Sequence, residues 1–512
     1  MPPVIKIYRS GKLIRTAEAV IGETLYERII EEDIYLEAPC GGKGKCGKCL
    51  VRLTPDGEQV RACQTRISGD TEVFLPDEMK MNIAGADTGE NVSVVKGPLG
   101  IGVDIGTTTV VAHLVDLSTC TRIATTSGVN AQRVFGADVI SRIQYCAEHG
   151  HEELSHVIRE QLGRLILQAC EKAGAQPKDV HYISIAGNTI MQHLAAGLSP
   201  VGMGVTPFTP VTLFGDEWPA GEDLPVASDA KIYFAPCVYS YVGGDITAGM
   251  LAADIENIPG PCGFIDIGTN GELALKVGKK YYCCATAAGP AFEGAEIAKG
   301  MAAIQGAISH VTWSDDKGLE LTIIGDTAPE GLCGSGLMDA LAVLVTTGAV
   351  DETGRLLDAE EVSHGISKHL GKRDGKNVFW LSKEHDVYMI PNDVRKLQLA
   401  KAAIAGGLQT LLQTAGITSE DVNSFLLAGG FGSFLDKTSA ATIGLFPRSF
   451  LPVTRTMGNL AGEGAVLALC SEAARATLQK MLESFEVVEL STSKVFNEQF
   501  VEQMMFEESN YD

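Results

Sequence analysis

Apolar and polar positions alternate at the start of this chain, over residues 4–8 and 12–17 with Gly11 between them, and the alternation predicts two half-buried strands. A helical spacing follows over 24–32, and two more short strands are predicted over 50–53 and 72–75. From 76 to 98 the periodicity dissolves into Asp, Gly, Asn, Ser and Lys, the pattern of a linker. Beyond it the pattern changes kind. The stretch 102–109, GVDIGTTT, runs as a buried strand to Asp104, turns on Gly106 and re-enters an apolar strand over 110–117. The same figure returns at 265–272, IDIGTNGE, with Asp266, Gly268 and a second strand over 273–277. A further strand runs into a glycine turn in 425–435, FLLAGGFGSFL. Helices are predicted over 131–145, over 152–173 and in the small-residue segment 458–469, and the body divides near 258–262, IPGPC. A charged, glycine-dotted stretch over 351–385 reads as a surface insertion, and a last strand and helix within 484–506 are expected to pack back on the body.

The repeated turn has a direct chemical reading. Gly106 and Gly268 let the backbone approach an anion without a Cβ in the way, while the amides and hydroxyls of Thr107, Thr108 and Thr109 supply donors. Asp104 and Asp266 suit a Mg2+ that keeps most of its waters. One such turn alone is more often just a tight hairpin; two facing each other would clamp a triphosphate across a cleft. Gly429, Gly430 and Gly432 leave room for a flat base or ribose. In 288–299 and 330–340 small residues precede a predicted helix, which makes Glu293 and Ser335 candidates for the nucleotide pocket, with close helix packing as the other reading. Asp245, following Gly243, Gly244 and an apolar strand, reads as a hinge or turn carboxylate before a water-orienting one. His193, beside Leu and Met, reads as a packed side chain.

At 512 residues the chain exceeds one core, and the pattern divides it into 1–76, a linker 77–98, and body halves 99–258 and 259–512. A formal net charge of -23 argues against nucleic acid, whose backbone would repel it, and leaves a protein or small molecule as partner. No apolar run is long enough to span a bilayer and no signal peptide is visible, so a cytoplasmic protein is expected. The 13 cysteines should then be thiols or metal ligands rather than disulfides.

Four of them stand apart. Cys40, Cys46 and Cys49 lie in PCGGKGKCGKC with the spacing C-x5-C-x2-C, and Cys63 follows in RACQT. Three thiolates on one loop containing Gly41, Gly42, Gly44 and Gly47 can wrap an inorganic cluster; a zinc knuckle or plain structural thiols are the alternatives. Lys43, Lys45 and Lys48 could steer an acidic electron donor or simply be solvated. Spacing and strand order together resemble the [2Fe-2S] ferredoxins of the plant and adrenodoxin kinds. The gap from Cys49 to Cys63 is shorter than most plant-type proteins show, which makes Cys63 the least secure ligand.

The order DIGTTT, DIGTNGE, LAGGFGSF and GNLAGEGAVLAL resembles the nucleotide-binding fold of sugar kinases, actin and heat-shock chaperone ATPases. That resemblance implies catalytic roles for Asp104 and Asp266. It places Gly106 and Thr107 to Thr109 at the phosphates, and Gly268, Thr269 and Asn270 at Mg2+ and the attacking water. Gly429, Gly430 and Gly432 would hold adenosine, Ser335 would join the pocket, and Gly462 and Ala465 would sit on a connecting helix. With APCGGKGKCGKC, RACQT, YVGGDITAG and CGSGLMD added, the whole chain resembles the reductive activators of corrinoid proteins, which return Co(II) to Co(I) at the expense of ATP. The implied fold is α+β and α/β multidomain: an N-terminal β-grasp [2Fe-2S] ferredoxin domain on a two-lobed actin-like ATPase of duplicated ribonuclease H-like folds. The implied cofactors are a [2Fe-2S] cluster, ATP and Mg2+. The implied partners are a corrinoid protein and a low-potential electron donor protein, and the resemblance admits a homodimer. The chain lacks the C-terminal cysteine set of relatives that carry [4Fe-4S] clusters, having only Cys470 after Cys333. Two other classes stay open: an ATP-driven electron injector for another acceptor of the radical-dehydratase kind, and a non-catalytic nucleotide-binding redox sensor.

Overall fold

The computed structural model describes residues 2–506 apart from 10, 33, 35, 37–41, 43, 45–48, 56, 77–96, 269, 326, 363 and 430–434. In it the alternating N-terminal segment forms β1 (Val4–Arg9), β2 (Lys12–Glu18), α1 (Leu25–Glu31), β3 (Leu50–Arg52), β4 (Gln59–Arg61) and β5 (Thr71–Leu75). The strands lie in the order β2, β1, β5, β3, β4, with β1 and β5 parallel. The inward faces of β1 and α1 bury Ile5, Ile7, Leu25 and Ile29 against Val51 and Val73, forming a separate core. The Thr24 hydroxyl accepts from Glu27 N at 3.2 Å while the Glu27 carboxylate accepts from Thr24 N at 2.7 Å. This reciprocal cap starts α1 where the sequence pattern places it and contributes about 1 kcal/mol. The expected linker falls almost entirely outside the described residues.

The first half of the body contains β6 (Leu99–Ile105), β7 (Thr109–Asp116), β8 (Thr121–Val129), α2 (Val139–His149), α3 (Glu152–Ala173), β9 (Val180–Gly187), α4 (Thr189–Ala195), β10 (Glu217–Pro219), β11 (Lys231–Phe234) and α5 (Gly244–Ala252). Its sheet runs β10, β11, β9, β6, β7, β8. The second half contains β12 (Cys262–Ile267), β13 (Gly271–Val277), β14 (Lys280–Thr286), β15 (Ala307–Ser314), β16 (Gly318–Ile323), β17 (Gly331–Leu332), α6 (Gly334–Thr346), α7 (His364–Ser367), β18 (Leu370–Arg373), β19 (Lys376–Ser382) and β20 (Val387–Met389). There follow α8 (Pro391–Ala415), β21 (Ser424–Ala428), α9 (Lys437–Thr442), β22 (Thr454–Gly458), α10 (Leu460–Cys470), α11 (Glu472–Leu482), β23 (Phe485–Val487) and α12 (Lys494–Glu502). Its main sheet runs β22, β21, β12, β13, β14, β23. In both sheets an antiparallel meander of three strands is extended on its first strand by two parallel ones, so the same topology occurs twice.

β6 and β12 are central strands covered on both faces, which is why they read as unbroken apolar runs. Truncating a wholly buried side chain such as Ile101 should cost about 2–5 kcal/mol. Helix α10 leaves the second sheet at β22 and packs on α5 and β6 of the first half. Glycines permit that approach: a Cβ at Gly102 would lie 2.7 Å from Val466 Cγ2, and one at Gly464 would overlap the Ala248 carbonyl.

Three expectations change. The helix predicted over 131–145 is a short 3-10 turn, Ala131–Val134, followed by α2. Asp138 starts the second piece by accepting from Ser141 N at 2.7 Å, and a Cβ at Gly136 would lie 2.5 Å from Ser141 Oγ. Segment 288–299 holds only the 3-10 turn Pro290–Glu293, because Gly289 and Gly294 flank it at φ 75° and 76°, outside helical space. The run before Gly243 makes a single Tyr239 to Val242 bridge instead of a strand. The 351–385 stretch builds the β18, β19 hairpin, which joins β20 in a small separate sheet. The C-terminal helix does return to the body: Lys401 Nζ donates to the Met505 carbonyl at 2.8 Å and Gln398 Nε2 to that of Met504 at 2.7 Å.

Candidate functional site

The ends of β6, β12 and β21 and the starts of α5, α6 and α10 open on one cleft of about 1290 Å³. The first turn is closed by Gly106 N donating to the Thr109 carbonyl at 2.9 Å, and a Cβ at Gly106 would lie 2.9 Å from that same oxygen. Asn130 braces the turn from the side, its Nδ2 on the Gly106 carbonyl and its backbone N on the Thr108 carbonyl, each at 2.8 Å. Thr107 is buried and its hydroxyl accepts from Asn188 Nδ2 at 3.0 Å, which orients it and leaves its own O–H to donate. The Thr108 hydroxyl donates across the cleft to the Glu293 carboxylate at 3.0 and 3.2 Å. Gly106, Thr107, Thr108 and Thr109 all line the cleft.

The second turn is closed by Gly268 N donating to the Asn270 carbonyl at 2.9 Å, and register pairs Asp266 with Glu272 across the hairpin. Gly429, at φ 94°, ends β21 beside it; a Cβ there would lie 2.5 Å from Asp266 Oδ1. Ser335 begins α6 and lines the cleft, but its hydroxyl donates to the Ser309 carbonyl at 2.8 Å, leaving the free amides of the helix start as its contribution. Thr269, Gly430 and Gly432 lie outside the described residues.

Tertiary structure brings four carboxylates together here: Asp104 and Asp266 from the turns, Glu272 from β13 and Asp245 from the first turn of α5. Burial, reinforced by the Asp245 and Asp104 charges, pushes Asp266 up to about 8. Burial and the Asp245 charge push Asp104 up to about 7, against an Asn459 Nδ2 bond of 2.9 Å that favours its ionised form. Burial alone lifts Asp245 to about 6, and burial with the Asp245 and Asp266 charges lifts Glu272 well above the usual range. Such a group shares protons at neutral pH unless a cation replaces them. The donor set, carboxylates and an amide lining one cleft, is of the chemistry that a hydrated Mg2+ takes. Asp245, Glu272 and Asn459 were not assigned to the site from sequence. An Asn at a helix start ahead of a small-residue run was the only local sign of Asn459.

His193 is packed, as expected: Nδ1–H donates to the Thr189 carbonyl at 2.7 Å and Nε2 accepts from Val211 N at 3.1 Å. Cys283, Cys284 and Cys333 are buried among apolar neighbours.

In the head, Cys49 directly precedes β3 and Cys63 sits in the 3-10 turn Ala62–Gln64, their sulfurs 3.2 Å apart. Ala62 N donates to the Cys49 carbonyl at 2.7 Å, which fixes that proximity through the backbone. Gly42 and Gly44 take φ 76° and 75°, and a Cβ at Gly42 would strike the Tyr26 ring at 2.5 Å. The close approach of Gly42 to the Tyr26 ring, and the Cys49 and Cys63 thiols set side by side, fit a cluster-holding site. Cys40 and Cys46, with Lys43, Lys45 and Lys48, lie outside the described residues.

A β-grasp head carrying paired thiols, on a body of two repeated lobes around an acidic cleft, defines a ferredoxin joined to an ATPase-type fold of the actin and sugar kinase class. Family descriptions agree along the chain: residues 9–68 match the 2Fe-2S iron-sulfur cluster binding domain, 99–258 the RACo middle region, and 261–512 the C-terminal domain of RACo, the ASKHA domain. The corrinoid activation enzyme RamQ of Eubacterium limosum is 31% identical over 92% of this chain and 94% of its own. A [Co(II) methylated amine-specific corrinoid protein] reductase of Methanosarcina barkeri is 25% identical over 68% of this chain and 66% of its own. A solved reductive activator for corrinoid, iron-sulfur protein superposes with a TM-score of 0.73 at 28% identity, covering 99% of both chains. The chain belongs to the family of reductive activators of corrinoid proteins. Among the described residues no helix is long and apolar enough to cross a membrane.

Proposed function

We propose that this chain hydrolyses ATP to drive reduction of a corrinoid protein from inactive Co(II) to Co(I), so that methyl transfer can resume. The observation that carries this reading is the presence, on one chain, of a cysteine-bearing ferredoxin head and a two-lobed cleft floored by four carboxylates. Cys40, Cys46, Cys49 and Cys63 would hold a [2Fe-2S] cluster, which when bound supplies single-electron transfer at about -400 mV. An acceptor 59 mV lower costs about 1.4 kcal/mol per electron, so a nucleotide-linked change in the acceptor is what makes the transfer reach completion. Asp104 and Asp266 would orient hydrated Mg2+, which when bound supplies the charge that lets the acidic group ionise. Asp266 would then orient the attacking water, and Glu272, its partner across the hairpin, would take up the proton. The Gly429 turn and the start of α6 would seat adenosine.

Asn459 couples the two lobes: it caps α10, which rises from the second sheet, and bonds Asp104 at the end of the first. Movement of α10 on α5 would therefore report nucleotide state to the lobe interface. A separate low-potential protein would reload the head, and we place the system in the cytoplasm. A homodimer is the assembly to look for by sedimentation.

The decisive measurement follows the Co(II) absorbance of a corrinoid protein under anaerobic conditions with reductant, with and without MgATP. ATP-dependent loss of the Co(II) band that disappears in Cys46→Ala supports the proposal; ATP-independent reduction, or none with any corrinoid protein, overturns it.

A further inference from the structure

The segment 131–145 carries charge that the two glycine turns do not account for. Arg142, in the first turns of α2, is fully buried, and its guanidinium is directed at neutral acceptors. Nη2 donates to the Thr107 carbonyl at 2.6 Å, Nε to the Gly136 carbonyl at 3.1 Å, and Nη1 lies 3.4 Å from Gln132 Oε1 and 2.9 Å from Met191 Sδ. Among the described residues no carboxylate pairs with it; Asp138 and Glu293 act on it only from farther away. A cation taken out of water without a paired anion is costly, and hydrogen bonds to neutral groups return only part of the cost. Arg133, half-buried on the 3-10 turn ahead of α2, lines the same cleft as Thr107, Thr108 and Thr109 and makes no ion pair among the described residues. A buried cation and a half-buried one at one loop, in a chain of net charge -23, point to an anion from outside the fold.

We propose that Arg133 and Arg142 form the cationic side of the phosphate site: Arg133 is a binding residue for the phosphates of a nucleoside triphosphate, and Arg142 is a positioning residue that holds the first turn through the Thr107 carbonyl. This rests on the nucleotide-binding reading above and adds the groups that select phosphate over nucleoside. Arg142 acts through the loop, whereas Arg133 has an open path to the ligand.

The test titrates the full-length, cluster-loaded protein with MgATP, MgADP and adenosine by calorimetry, comparing wild type with R133Q, R142Q and R142K. A wild type that binds none of the three overturns the nucleotide reading itself, a result separate from those that follow. With wild-type binding in hand, R133Q should weaken MgATP and MgADP at least about tenfold and leave adenosine within about twofold. R142Q should move in the same direction, and R142K, which keeps a donor for the Thr107 carbonyl but loses the guanidinium fork, should recover part of that loss. R133Q changes a half-buried side chain and should fold normally, so the proposal stays open to test if R142Q does not fold. Unchanged ATP affinity in R133Q, or equal loss of ATP and adenosine, overturns the proposal for Arg133. Equal loss of both ligands in R142Q, or failure of R142K to rescue, reduces Arg142 to a structural role and overturns its part.

Discussion

The two glycine hairpins share a plan and differ in what stands behind them. The first is backed by amides and a cation: Asn130 on the Gly106 carbonyl, Asn188 on the Thr107 hydroxyl, Arg142 on the Thr107 carbonyl. The second is backed by acid, with Glu272 directly across the ladder from Asp266, and is pressed from the side by the Gly429 turn. One topology used twice has therefore been given different electrostatics: each hairpin carries an aspartate, but the first is braced by donors and a cation where the second faces a further carboxylate. A hairpin braced by donors and positive charge suits an anion, while one walled by carboxylates suits a hydrated cation and a water to be deprotonated. Repetition of the fold does not mean repetition of the chemistry.

Unequal responses to mutation are the sharpest way to break this contrast. Asp266→Asn should lower steady-state phosphate release about 10²–10⁴-fold with nucleotide affinity little changed, whereas Thr108→Val should act on KM by less than about tenfold. Equal losses of turnover in both would remove the division of labour. Gly429→Ala comes next: the positive φ and the 2.5 Å approach to Asp266 Oδ1 should destabilise the fold by about 1–3 kcal/mol in urea titrations and misplace that carboxylate. Gly187→Ala, at the matching strand end of the first half, lacks the positive φ but would bring its Cβ to 2.7 Å from the Ile105 carbonyl oxygen, so its cost comes from that backbone contact and leaves Asp266 in place.

Asn459→Ala should be milder still. Loss of its bond raises Asp104 further above about 7, so the acidic limb of the pH–rate profile moves to higher pH and turnover at neutral pH drops about two- to threefold. An unmoved limb would show that Asp104 does not govern it.

The smallest effect is on stability against pH. Asp104 and Asp266 have folded-state values of about 7 and about 8, above an unfolded carboxyl near about 3.9, so the native state holds more protons between those limits. Their contribution is fully present below about pH 4 and is lost as pH rises through about 8. In metal-free protein Tm should decline across that window, and Mg2+ should flatten the slope. A Tm that does not fall from pH 4 to 8, or an Asp266→Asn variant with the wild-type slope, would count against the acidic group as described.

Some of this was legible along the chain because it is local. Helix α3 spans the predicted residues 152–173, and the strand, glycine and threonine pattern of 102–109 announces a turn whatever surrounds it. The break between Val134 and Val139 was missed because the apolar spacing runs on through it, while the Asp138 and Ser141 cap that restarts the helix is a short-range competitor the spacing does not register. The site was legible only in halves. Asp104 and Asp266 stand at strand ends with their own motifs; Asp245 has a glycine-rich motif that reads first as a hinge, Asn459 lies in a small-residue helix motif without a role of its own, and nothing local says that Arg142 will reach the same cleft.

The residue order thus settles where helix α3 runs, where the two repeated turns fall and that they need glycine, since each depends on neighbours a few positions away. Which charges meet is decided by two sheets packed through α5 and α10, because pairing positions more than 100 residues apart depends on close helix contact such as that of Gly464 with the Ala248 carbonyl.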